Sequence, residues 1–191
     1  MKKIMFCDRY GLTQAVIDGR KTMTRRLIPS KFVDSARNGF FNVCIYDAQK
    51  AGRAYRVGEI VAVAQSYQSL NESGFVAPEW CEHTCEDSKG YENKMYVRAD
   101  LMPYQIQITD IRIERLQAIT NVDCIREGIY RDDIDPEFPF VFDVFGKHTS
   151  RWRFPTRKEA FAALINRRGV GGPGTWERNP LVFVYSFKLI K

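Results

Sequence analysis

The residues best suited to chemistry in this chain lie in one octapeptide, Gly19-Arg20-Lys21-Thr22-Met23-Thr24-Arg25-Arg26. A threonine hydroxyl becomes a nucleophile when a base takes its proton, and a neutral lysine amine can be that base. Lys21 and Thr24 are the candidate pair. The amine needs its pKa lowered by burial or by nearby cations, and Arg20, Arg25 and Arg26 are adjacent. Spacing sets a condition: residues three apart in a regular strand point to opposite faces, so Lys21 and Thr24 meet only if the chain turns between them. Thr22, Thr24 and Arg26 share an extended face. The bland alternative is a solvated basic turn, because short Lys/Arg clusters are common on surfaces.

Glu127 is the second candidate. It falls in the last turn of an expected helix, just before Gly128, where a carboxylate opposes the helix dipole. A residue set against a local rule points towards function, and a solvent-facing glutamate is the alternative. The "CEHTC" segment offers Cys81, His83 and Cys85, but zinc needs a fourth ligand, and Cys44, Cys124 and His148 are distant singletons. A loop with reduced thiols and no metal is the expectation. "GVGGPG" at 169–174 lacks the Lys-Ser/Thr of a phosphate loop and reads as a mobile loop. Trp80, Trp152 and Trp176, with Arg151 and Arg153, offer rings and cations for stacking on bases, or rings for the core. With His83 and His148 as the only histidines, no Ser-His-Asp arrangement stands out.

The elements that must hold these residues follow from patterning. Residues 3–7 read as a short buried strand. Leu12, Ala15 and Val16 share a helical face, with Gly19 as the stop. A turn at Val57-Gly58 opens a strand over Ile60–Gln65 that is apolar on both faces and therefore central. Residues 94–116 hold two strands' worth of alternation. Within them Ile106 and Ile108 change parity against Ile111 and Ile113, which points to a bulge or a bend at Thr109-Asp110. Thr120 caps a helix ended by Gly128. Thr156-Arg157-Lys158-Glu159 is a capping box opening a helix whose Phe161, Leu164 and Ile165 face the core. Residues 181–190 form the last strand. Three turn-rich insertions are expected near 29–55, with one strand at "FFNVCIY", and near 68–93 and 129–155. The expected fold is a single α+β domain over 1–191. Its mostly antiparallel sheet is curled, or closed into a small barrel, with about three short helices.

Composition bounds the rest. The hydrophobic fraction of 45% suits one buried core, and a net charge of +6 is compatible with a phosphate-bearing partner. No apolar run approaches a membrane span, and the N-terminus lacks a signal-peptide core. Five scattered cysteines suit a reducing cytoplasm. Nothing calls for a cofactor, and no obligate protein partner is inferred.

The order of these pieces resembles the ASCH family, whose fold is PUA-like. Gly19 to Thr24 with Arg26 match its GxKTxTxR signature, and Gly58-Glu59 stands where the family has Gly-Asp. Leu116–Gly128 is similar to its strand-then-helix element ending in an acid. "TWERNPLVFVYSF" resembles the longer, often phage- or prophage-encoded members. The match covers 1–28, 56–67, 94–128 and 176–190. The resemblance implies a cleft for a modified nucleoside or RNA. Some compact members are amidohydrolases that remove acetyl from N4-acetylcytidine. Their Lys–Thr–Glu set maps onto Lys21 as base, Thr24 as nucleophile and Glu127 as the acid that orients Lys21 or handles the leaving amine's proton. Arg20, Thr22, Arg25, Arg26, Gln65, Trp176 and Asn179 are then candidate nucleotide or RNA contacts. Gln65 departs from the pattern, because long members often place an acid there. A non-catalytic or an RNA-cleaving RNA-binding module is the alternative.

Overall fold

A computed structural model describes residues 1–72, 74, 87–142 and 153–190. The readings placed on Trp80, Cys81, His83, Cys85, His148, Arg151 and Trp152 lie outside the described residues. Five strands build one sheet: β1 (Lys3–Ile4), β2 (Met23–Leu27), β3 (Ile60–Val63), β4 (Gln105–Arg115) and β7 (Leu181–Leu189), in the order β1-β3-β4-β7-β2. Only β1 and β3 run parallel; every other neighbouring pair in this sheet is antiparallel. A small second pair, β5 (Tyr130–Arg131) and β6 (Phe140–Val141), stands apart. The expected α+β class with mostly antiparallel pairing is observed, whereas the barrel option is not. The sheet is open, with β1 and β2 at its two edges.

The β4–β7 ladder is the backbone of the molecule, and it contains the bulge expected from parity. Register shifts between Ile108 and Asp110. Before the shift Ile106 and Ile108 oppose Leu189 and Phe187; after it Ile111 and Ile113 oppose Tyr185 and Phe183. All four isoleucines therefore share one face with the odd-numbered residues of β7. Asp110, Arg112 and Glu114 share the opposite face with Ser186, Val184 and Val182. The two strands expected over 94–116 are in fact one long strand. Residues before it turn through a 3-10 segment at Ala99–Leu101, and Pro103, with no backbone N–H, cannot extend the ladder.

Helices cover the sheet in larger number than expected. Among the described residues they are α1 (Leu12–Ile17), α2 (Ser30–Arg37), α3 (Phe41–Lys50), α4 (Tyr67–Glu72), α5 (Asn121–Arg126), α6 (Arg157–Ile165) and α7 (Thr175–Arg178). The strand expected at "FFNVCIY" is instead α3. It buries Cys44 and Ala48, one turn apart, and leaves Phe41, Val43 and Tyr46 in solvent. Two N-caps form as read: Thr120 Oγ1 accepts from Asp123 N–H, and Thr156 Oγ1 accepts from Glu159 N–H. Phe161, Leu164 and Ile165 are buried. No described helix is long and apolar enough to cross a membrane.

Candidate functional site

Two helix ends and one edge strand meet at Lys21. Helix α1 stops at Asp18, and Gly19 leaves it at φ +72°. The Lys21 amide then donates back to Ala15 O, and the Thr22 amide donates to Arg126 O at the end of α5. Only at Met23 does β2 begin. Lys21 thus stands just outside the regular strand, while the Thr22 carbonyl already accepts from Phe187 N–H of β7. Helix α5 ends with Glu127 as its C-cap and Gly128 at φ +100°. That turn returns the Glu127 side chain inwards, where it is almost wholly buried.

Lys21 Nζ donates to Glu127 Oε2 at 2.6 Å and to the Glu127 carbonyl at 2.7 Å. The second carboxylate oxygen, Oε1, accepts from Arg25 Nη1 at 3.1 Å. Arg25 also donates through Nη2 to Asp123 Oδ2 at 2.8 Å and to Glu114 Oε1 at 2.5 Å, and through Nε to Glu114 Oε1 at 3.0 Å. Arg112 closes the network on Glu114 Oε2 and Asp123 Oδ2. The three cations Lys21, Arg25 and Arg112 balance Glu114, Asp123 and Glu127. A carboxylate against the helix dipole is tolerated here because two cations neutralise it. Burial pushes the Lys21 amine below an ordinary lysine; Glu127 opposes that shift, while Arg26 and Arg25 add to it.

A cavity of about 300 Å³ opens beside this cluster. Because β2 is an edge strand, the cavity reaches residues from both of its faces. Lys21, Thr24, Arg25, Arg26 and Glu127 all line it. Its apolar wall comes from Phe6, Leu12, Leu116, Phe161, Leu164 and Ile165, and the glycine loop contributes Gly169 and Gly171. The 169–174 segment thus leads into α7 and forms part of the wall. Thr24 and Arg25 alternate in β2 and project from opposite faces. Among the described residues no hydrogen bond joins Lys21 to the Thr24 hydroxyl. The cavity volume sits at the bottom of the range usual for small-molecule sites, roughly 300–1,000 Å³.

The other expected contacts scatter. Arg20 is half-exposed, paired with Asp18 at 2.8 Å and set over the Tyr130 ring. Thr22 is spent on backbone pairing, its carbonyl accepting from Phe187 N–H. Arg26 donates to Met5 O and lies over Phe6. Gln65 is buried along a different depression, with Asp8, Thr13 and Glu72. Trp176 packs edge-on to Phe161, and Asn179 caps the chain by accepting from Gln117 N–H at 2.8 Å. Neither Gln65, Trp176 nor Asn179 lines the cavity. Sequence reasoning missed Glu114 and Asp123 as the holders of Arg25. Their only signal was a pair of acids on elements flanking the Leu116–Ile119 turn. Comparison with family models, curated proteins and solved structures finds no match to this chain.

Proposed function

We propose that this is an ASCH-type, PUA-like protein that binds a modified nucleobase or nucleoside and hydrolyses an amide of the N4-acetylcytidine kind. One observation carries the reading: Lys21, Thr24 and Glu127 line a single small cavity with apolar walls. In this mechanism neutral Lys21 takes the Thr24 hydroxyl proton as the oxygen attacks the acetyl carbonyl carbon. Collapse of the tetrahedral intermediate breaks the C–N bond, and the Lys21 ammonium returns the proton to the departing N4 amine. Water, deprotonated by Lys21, then attacks the Thr24 acetyl ester; the bond from the acyl carbon to Thr24 Oγ breaks, the Lys21 ammonium returns its proton to that oxygen, and acetic acid leaves. Glu127 orients Lys21. The test is incubation with N4-acetylcytidine and chromatographic measurement of cytidine. Turnover in the native protein that is lost in Thr24→Ala supports the assignment; turnover that survives the substitution removes Thr24 as nucleophile.

A second reading, RNA binding without chemistry, is favoured by a neighbouring groove of about 670 Å³. It shares Arg26 and Leu27 with the cavity and is lined by Lys3, Arg53, Tyr55 and Tyr96 among others. Lys3, Arg26 and Arg53 have no carboxylate partner among the described residues. Cations interleaved with rings suit a single strand. Binding of RNA without any cytidine release favours this reading over hydrolysis.

A further inference from the structure

Arg25 sits at a position that the hydrolase reading does not use, yet it is the most heavily bonded side chain of the site. It is fully buried, and its guanidinium reaches Glu114, Asp123 and Glu127 at once. Of these three, only Glu127 also contacts Lys21. We infer that Arg25 is a positioning residue: it holds Glu127 Oε1, so that Oε2 alone faces Lys21, and it keeps the buried charges in balance. The kinetic test rests on the hydrolase reading and the spectroscopic one does not.

The charge count gives the inference a sign. With Arg25 present, three cations meet three carboxylates. Without its charge, three carboxylates face only Lys21 and Arg112, so the excess negative charge stabilises the Lys21 ammonium. Neutralising Glu114 tips the balance the other way. Among the described residues, further charges near the cluster include Arg26 on β2 beside Lys21, Asp110 on β4 beside Arg112, and Lys158 on α6 near Cys124. The Phe6 ring, 5.8 Å from Lys21 Nζ, favours the ammonium in every variant. A guanidinium spreads five donors over a planar fork wide enough to bridge three separate carboxylates, whereas an ammonium places its charge at one point, so lysine at position 25 restores the charge without restoring the hold on Glu127.

The experiment compares native protein, Arg25→Gln, Arg25→Lys and Glu114→Gln. One readout is the pH profile of kcat; the other is the titration of the Lys21 ¹³Cε resonance. In Arg25→Gln the acid limb and the resonance midpoint both move up by about one pH unit, a tenfold loss of rate on that limb. In Arg25→Lys the limb returns towards native while the plateau rate stays low. In Glu114→Gln the midpoint moves down. A folded Arg25→Gln with an unmoved midpoint, or a rate loss uniform across pH, overturns the inference. Should Arg25→Gln fail to fold, a Glu114→Gln midpoint that stays or rises overturns it equally. If the native protein releases no cytidine, the hydrolase reading falls and the resonance midpoints still decide the role of Arg25.

Discussion

Replacing Glu127 by glutamine keeps the shape of the side chain and removes its charge from between Lys21 and Arg25. The native carboxylate accepts from both cations through separate oxygens. A glutamine has one oxygen for the two of them, and its amide presents N–H groups to the other. Breaking a buried pair by removing one partner costs about 3–5 kcal/mol. Arg25 keeps Glu114 and Asp123, which places the loss at the lower end, about 3 kcal/mol at neutral pH. For a chain of this size that lowers the melting midpoint by about 6–12 °C. The loss also depends on pH. Burial already holds the Lys21 pKa below its ordinary value, and Glu127 is the first group raising it. Glutamine therefore drops the pKa further, so between the variant's and the native Lys21 pKa values the folded variant binds fewer protons than the folded native protein. Its stability rises with pH more steeply there, and the deficit shrinks by about 1.36 kcal/mol for each pH unit. Urea unfolding from neutral to alkaline pH measures this directly. A deficit below about 1 kcal/mol, the range of exposed pairs, or one that does not change with pH, refutes the buried ion-pair account.

Other outcomes follow from the same geometry. Lys21→Met lowers kcat for amide hydrolysis by roughly 10²–10⁴-fold, the usual weight of a general base, and removes the acid limb that native activity shows below the ordinary lysine pKa. Gly128→Ala destabilises by about 1–2 kcal/mol through its backbone alone, because φ is +100° and an added Cβ meets nothing nearer than 3.7 Å; thermal melting checks it. In the RNA-binding reading, Arg53→Glu weakens single-stranded RNA binding and flattens the salt slope by about 0.7. Fluorescence anisotropy at several salt concentrations measures it, and an unchanged slope takes the groove out of the RNA path.

Local signals carried much of the structure. Thr120 and Thr156 announced their helices because a capping hydroxyl acts within one turn, and the parity change at Thr109 announced the bulge because strand faces alternate strictly. The "FFNVCIY" run misled because its β-branched and aromatic residues favour a strand, while the deciding contacts were the small buried Cys44 and Ala48 of a helix. Such contacts depend on what packs against them, which is non-local. The site divides in the same way. Lys21, Thr24 and Glu127 were legible as types in order. The bonds from Arg25 to Glu114 and Asp123 span 89 and 98 residues, and no local pattern encodes them. Trp176 and Asn179 looked like ligand contacts; the structure shows Trp176 packed against Phe161 and Asn179 accepting from Gln117 N–H, and neither lines the cavity.

The bulge in β4 works as a phase shifter for the charge cluster. One surplus residue lets the strand keep four isoleucines on a single face, and it also decides which face Arg112 and Glu114 occupy. Without the bulge, a strand anchored at Ile106 and Ile108 and alternating strictly through Thr109 would carry Arg112 and Glu114 on the isoleucine face, away from Arg25. The ion network thus depends on a bulge at a position that belongs to none of its members, and losing Thr109 outright would leave Arg112 and Glu114 on their present face. A single residue inserted before Arg112 reverses those faces and is expected to be far more damaging than any side-chain change at Thr109, which is itself exposed.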